Sequence, residues 1–412
     1  MRISWLSVSD QLGGSEVALL GMITWLRAAR PGWDFQVVLP GHGPLQGRLE
    51  AAGVLCSVVP MPPALGRVGE SAAVRERWSP AATLLLGLRL CAGVAALRSY
   101  QARLRRTLSE FQPDIIHTNG LKAHVLGARV RLPREAVVWH LHEYVARRRL
   151  TGWLLRRYAS QCDAIVANSD SVAADVVSIL PEPPPVHVVR NAVDLNAFAP
   201  AGPRLDLDAL AGLPAAPPDV TRVGLVATFA LWKGHDVFLD ALQRVSTSRP
   251  IRGYIIGGPL YDTSGSQYTR RNLESMFGAR ALHSRVGLTG FLDPAPAMRS
   301  LDVLVHASRD PEPFGLVIAE AMACGRPVVT TANGGAAELV EAGRDALVAP
   351  SGDVKALAAA IDRLAADPAL RESIGARARA AAVARFAPDR MAADLARVFE
   401  TVRPRPPLEQ SV

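Results

Sequence analysis

The chain has 412 residues, too many for one compact core, so two domains are expected. With 49% apolar and 20% charged residues it has the composition of an ordinary globular enzyme, and its four scattered cysteines, none in a C-x-x-C pair, exclude a zinc ribbon or a disulfide framework and fit a reducing cytoplasm. A net charge of +8, carried by arginine with only Lys122, Lys233 and Lys355 as lysines, reads either as a solvated surface or as an attraction for phosphates, acidic lipid or nucleic acid.

In chain order, the start "MRISWLSVSDQLGGSE" lacks the apolar core and cleavage site of a secretory leader. Strands are predicted at 2–8, 35–40, 114–118, 136–141, 164–168 and 186–191, with helical segments such as 16–28 and 97–111 between them. The most membrane-like stretch, 81–97, is short of a span and carries Arg89, so it reads as a buried or surface helix. Proline-dense 181–185 and the Pro, Ala and Gly-rich 200–219 read as linker. The alternation then restarts with strands at 222–229, 252–259, 285–291, 302–308, 327–331 and 346–350, and a last helix at 388–402. Strand–helix alternation means parallel sheets with crossover helices. The expected fold is therefore α/β, two Rossmann-like doubly wound domains facing across a cleft: 1–199, 200–385, and 386–412 as a helix returning to the first domain and then a tail.

"EPFGLVIAEAMACGRPVV" holds two acids, Glu312 in a loop and Glu320 about a turn inside a helix beginning near Leu316. Free amides at the helix start between them can receive a phosphate. An extended ligand with hydroxyls on either side of a diphosphate fits this spacing, with Glu320 on a ribose diol and Glu312 on a second sugar. From spacing alone, a solvated loop acid and an exposed helix acid remain the simpler account. Lys233 stands in a glycine turn, and its rarity in this arginine-rich chain points to a chosen ammonium that could neutralise a leaving diphosphate. No Asp-x-Asp, H-E-x-x-H, spaced G-x-G-x-x-G or Walker lysine occurs, so neither a metal nor a dinucleotide cofactor is expected.

The E-x7-E stretch resembles the signature of the family 4 retaining glycosyltransferases, which have the GT-B fold. "QLGGSE" (11–16), "VVRNAVDLNAFAP" (188–200, with Ala192 where Gly is usual), "WKGHD" (232–236) and "NGGAAELV" (333–340) resemble further family motifs in the same order. The resemblance implies a metal-independent hexosyltransferase that retains configuration by front-face attack and moves a sugar from a UDP- or GDP-sugar to a saccharide or lipid-linked saccharide. It implies catalytic roles for Glu312, His142 and Lys233. Donor contacts would come from Gly14, Thr228, Lys233, Gly290, Phe291, Phe314, Gly315, Leu316 and Glu320. Acceptor contacts would come from Gly13, Ser15, His142 and Glu143. Thr228 stands where similar enzymes often carry a phosphate-binding arginine, and His140 is expected on the strand face opposite His142.

The segments 103–111 and 146–158 join arginines to aromatic and leucine residues, so contact with an anionic membrane on the cytoplasmic face is a further expectation. A GT-B nucleotide-sugar epimerase is an alternative, distinguished by turnover without an acceptor. A nucleic-acid-binding protein is another, but the arginines are dispersed and no nucleic-acid motif appears, so no nucleic acid is expected as a partner.

Overall fold

The computed structural model describes residues 1–63, 80–247, 249–260 and 265–402; the side chains at 80–93 and at 149 and the tail 403–412 lie outside the described residues. Its contacts divide the chain into two compact units. The first comprises Met1–Ala167, Ala173–Val189 and Ala392–Val412, the second Asn168–Val172 and Arg190–Met391.

The first unit is built on a seven-stranded sheet of β1 (Arg2–Ser7), β2 (Asp34–Leu39), β3 (Leu55–Val58), β4 (Ile115–Asn119), β5 (Ala136–Leu141), β6 (Ala164–Ala167) and β7 (Val186–Val188). The order is β3-β2-β1-β4-β5-β6-β7, with parallel pairing throughout. Helices cover both faces of the central strands, which is why β4 and β5 are buried at every position, His117, Thr118, Asn119 and His140 included. Trp5 of β1 lies opposite Val37 and His117 and packs against Phe399 of the helix Pro388–Thr401.

The second unit carries β8 (Thr221–Val226), β9 (Ile251–Ile256), β10 (Val286–Gly290), β11 (Val303–His306), β12 (Val328–Thr330) and β13 (Leu347–Val348), parallel and in the order β10-β9-β8-β11-β12-β13. In each sheet the order reverses at a central strand, which opens a crevice beyond the carboxyl ends of the strands.

The boundary between the units falls at Val189/Arg190, ten residues before the predicted 199/200. The reason is hydrogen bonding: Val193 N–H donates to Phe386 O at 3.0 Å, and the Arg299 and Arg379 guanidiniums donate to the carbonyls of Ala197 and Phe198. The proline-rich stretch therefore begins inside the second unit. The last helix likewise changes unit within its length, at Met391/Ala392.

Candidate functional site

At the carboxyl edge of the second sheet, β11 runs out at His306 into a loop that reaches the helix Leu316–Ala323. Pro313 and Gly315 shape this loop. Gly315 has φ +94°, a left-handed conformation that only glycine adopts without strain. Glu312 N–H donates to Asn333 O at 3.0 Å, and Gly335 lies so close that an added Cβ would stand 2.0 Å from Pro313 O. The "NGGAAELV" segment thus braces the Glu312 loop from behind.

The Glu312 carboxylate meets Lys233, whose Nζ donates to Oε1 at 3.0 Å and to Oε2 at 2.7 Å. Lys233 ends a short helical turn closed by Gly234, again left-handed at φ +72°. Ser308 Oγ donates to Oε2 at 3.1 Å, and His306 Nε2 lies 3.5 Å from the same oxygen. Burial pushes the Glu312 carboxyl toward the protonated form, but the Lys233 charge and the His306 contact outweigh it and hold the group well below the usual carboxylate range.

Glu320 sits one turn into the following helix, and no hydrogen-bond or ion-pair partner for its carboxyl is found among the described residues. Burial raises its pKa to about 8. Folded protein therefore holds a proton that the unfolded chain releases between about pH 4.5 and about pH 8. That contribution to stability is full below the lower value and is lost as pH rises through the upper one. Glu320→Gln is expected to flatten the fall in melting temperature across this window; a profile identical to that of the parent protein would refute it.

The other donor-side candidates sort by what they present. Phe314 is buried against Phe386, ring centroids 5.9 Å apart, so its side chain serves the core and only its backbone faces the helix start. Leu316 opens the helix, where the first amides lack intrahelical acceptors by position. Gly290 has φ +79°, and the Phe291 ring beside it is 62% exposed and lies over Gly258. Thr228 Oγ1 is buried without a hydrogen-bond partner among the described residues.

In the first unit, Gly13 caps the helix Gly14–Ala29, and Ser15 lies in its first turn. His142 follows β5 with its Nε2 buried and unpartnered among the described residues, and burial lowers its pKa to about 4, so the ring is neutral near pH 7. Glu143 pairs with Arg148 at 2.6 Å. The expectation for His140 is corrected: its ring stacks on that of His142, centroids 4.0 Å apart. Residues two apart share a strand face because the pleat repeats every second residue. His117 is wholly buried beside Trp5 and His140, with neither ring nitrogen hydrogen-bonded among the described residues.

Three groups around Glu312 have no sequence signature: His306, Ser308 and Thr330, the last of which meets His306 Nδ1 at 3.1 Å. Glu338 is a fourth. It accepts the amides of Asp170 (2.9 Å) and Ser171 (2.8 Å) at a helix start, so that five-residue stretch belongs to the second unit. Among the described residues no group of three His, Cys, Asp or Glu stands together as metal ligands would.

Two family models match the chain: Glycosyltransferase Family 4 over residues 12–197 and Glycosyl transferases group 1 over residues 220–367. A D-inositol 3-phosphate glycosyltransferase of Xylanimonas cellulosilytica is 33% identical over 254 residues, 60% of this chain and 58% of that protein, so the chain is matched over little more than half of that relative's length. An alpha-D-kanosaminyltransferase of Streptomyces kanamyceticus is 30% identical over 45% of this chain and 46% of its own. Among solved structures, Anabaena HepE in complex with UDP-glucose superposes with a TM-score of 0.77 at 25% identity, covering 97% of this chain and 100% of that one. Sucrose-phosphate synthase from Thermosynechococcus elongatus shares the fold with a TM-score of 0.74 at 21% identity, covering 97% and 98%.

Proposed function

We propose, from the premise that this chain belongs to the group 1, family 4 glycosyltransferases of GT-B fold, that it transfers a sugar with retention, and without a metal, from a nucleotide sugar to a hydroxyl of a saccharide or lipid-linked saccharide. The observation that carries this is the Lys233–Glu312 pair at the second unit's sheet edge, with Glu320 one turn into the adjoining helix.

On this reading the diphosphate lies at the start of the helix Leu316–Ala323, where amides and helix dipole favour negative charge. Lys233 turns from Glu312 to the phosphates, and Glu312 accepts hydroxyls of the transferred sugar. Thr228 offers the phosphate one hydrogen bond where similar enzymes place an arginine. Gly290 and Phe291 meet the base, and Glu320 accepts the ribose diol. The acceptor hydroxyl attacks from the face that the diphosphate leaves, and the departing phosphate oxygen takes its proton. Neutral His142 hydrogen-bonds the reacting sugar, and Gly13, Gly14 and Ser15 line the approach of phosphate and acceptor.

UDP is the favoured nucleotide because the HepE complexes hold UDP and UDP-glucose. The test is thermal shift against UDP, GDP and other nucleoside diphosphates. UDP at about 100 times its Kd should add about 2.7 kcal/mol of stability. A shift with GDP alone would change the nucleotide, and no shift with any nucleoside diphosphate would remove the reading.

The acceptor side is proposed to work at an anionic membrane on the cytoplasmic face. Among the described residues no helix is long and apolar enough to cross a membrane. The two basic segments differ, however. In 103–111 the apolar residues Leu104, Leu108 and Phe111 are buried, whereas the helix Arg149–Tyr158 exposes Leu150 (65%) and Trp153 (57%) among arginines. Leu150 and Trp153 lie three apart, on one face. Flotation with phosphatidylglycerol vesicles should carry the protein upward, and Trp153→Glu should leave it in the load; equal flotation of both would sink the proposal.

A further inference from the structure

His306 has more connections than a strand-end core histidine needs. It is 5% exposed at the end of β11, and both ring nitrogens are engaged. Nδ1 meets Thr330 Oγ1 at 3.1 Å, and that oxygen also accepts Ala332 N–H at 3.0 Å. Nε2 meets Ser308 Oγ at 3.2 Å and Glu312 Oε2 at 3.5 Å, the oxygen that also binds Lys233 at 2.7 Å. Among the described residues, the charged groups brought to this ring are Glu312 and, through it, Lys233. Beyond them in the same loops, Arg309 pairs with Asp236.

The two hydroxyls are rotors. With a neutral ring, Thr330 donates to Nδ1 and Nε2–H points to Ser308 and Glu312. With a protonated ring, both nitrogens donate, Thr330 Oγ1 accepts, and nothing else must move. The cage thus accommodates either charge state.

Resting on the reading of Lys233 above, we propose that His306 is the positioning residue for Glu312 and that it takes up a proton when a nucleoside diphosphate draws Lys233 away. Glu312 loses its ammonium at that moment and would stand half-buried with a full charge. Protonated His306 restores a cation against Oε2 and keeps the carboxylate aimed at the sugar.

The test is calorimetric titration with UDP in two buffers of different ionisation enthalpy, between about pH 6 and pH 8, for the parent protein and His306→Gln. Protons exchanged by UDP itself and by Glu320 are common to both and cancel in the difference. The parent protein should take up more protons per UDP than the variant, by as much as about one. His306→Gln should still bind UDP but turn over at least about tenfold more slowly, since glutamine can donate to Glu312 yet cannot become a cation. Should that variant not fold, Thr330→Val removes the oxygen that accepts from protonated Nδ1 and should shrink the uptake likewise. Equal proton counts in parent and variant overturn the proposal while leaving the functional reading intact. Failure of the parent protein to bind UDP removes both.

Discussion

Replacing Glu312 with glutamine is expected to abolish nearly all sugar transfer, by about 10²- to 10³-fold in turnover, while UDP still raises the melting temperature. The substitution keeps the shape and removes only the charge. Burial works against the Glu312 charge, but Lys233 and His306 outweigh it and hold its carboxyl below the usual carboxylate range, so glutamine does not imitate a state that the native protein visits near neutral pH. In a front-face reaction the positive charge grows on the sugar ring, and a fixed carboxylate beside it stabilises that charge without forming a bond. Nucleotide binding should survive and even strengthen, since Lys233 no longer has a carboxylate competing for it. The measurement is transfer of labelled sugar from whichever donor the thermal screen identifies. Turnover within about threefold of the parent's, less than the loss of one such group normally costs, would mean that Glu312 has no part in the chemistry.

Gly234→Ala is expected to be strongly damaging although it adds a single methyl group. The residue is at φ +72°, and a Cβ there would stand 2.0 Å from Ala307 O and 2.9 Å from its carbonyl carbon. Ala307 is backbone that continues β11, so it cannot swing aside as a side chain would. The two loops are also stitched by Arg309 N–H to Trp232 O at 2.8 Å. Separating them moves Lys233 away from Glu312. Left-handed strain plus overpacking should cost about 2–4 kcal/mol, lowering the melting temperature by roughly 5–15 °C for a unit of this size and removing the response to UDP. Gly47→Ala is the control, because that glycine lies in the helix Pro44–Ala51, is none of the site residues, and a Cβ there meets nothing within 4 Å. Equal behaviour of the two variants would show that the lysine turn is not held as described.

Much of this architecture is readable before folding. Near-continuous apolar runs such as "AVVWHL" announce buried parallel strands, and each of them is found. The edge strand β3, "LCSV", is missing from the sequence reading because it is short and only partly buried, so neither alternation nor a long apolar run marks it. The predicted strands of the second unit overrun by a few residues, since the apolar pattern continues into the loops that turn under the site. Among the site residues, Glu312 and Lys233 are legible as an out-of-place acid and a rare lysine, and the structure pairs them. Phe314 looks like a ligand contact but its ring fills the core. His306, Ser308 and Thr330 are invisible in the sequence because their role arises only when β11 and β12 lie side by side, Val305 opposite Val329 and His306 opposite Thr330.

Neither compact unit is a continuous segment. The path crosses from one to the other at Ala167/Asn168, Val172/Ala173, Val189/Arg190 and Met391/Ala392. Anyone building chimeras to exchange donor specificity by grafting 190–391 from another enzyme would leave Asn168–Val172 behind in the host. The incoming counterpart of Glu338 would then have to accept foreign amides, and Arg190 would meet a foreign Asp170 position. A clean transplant carries that five-residue island along with the main insert.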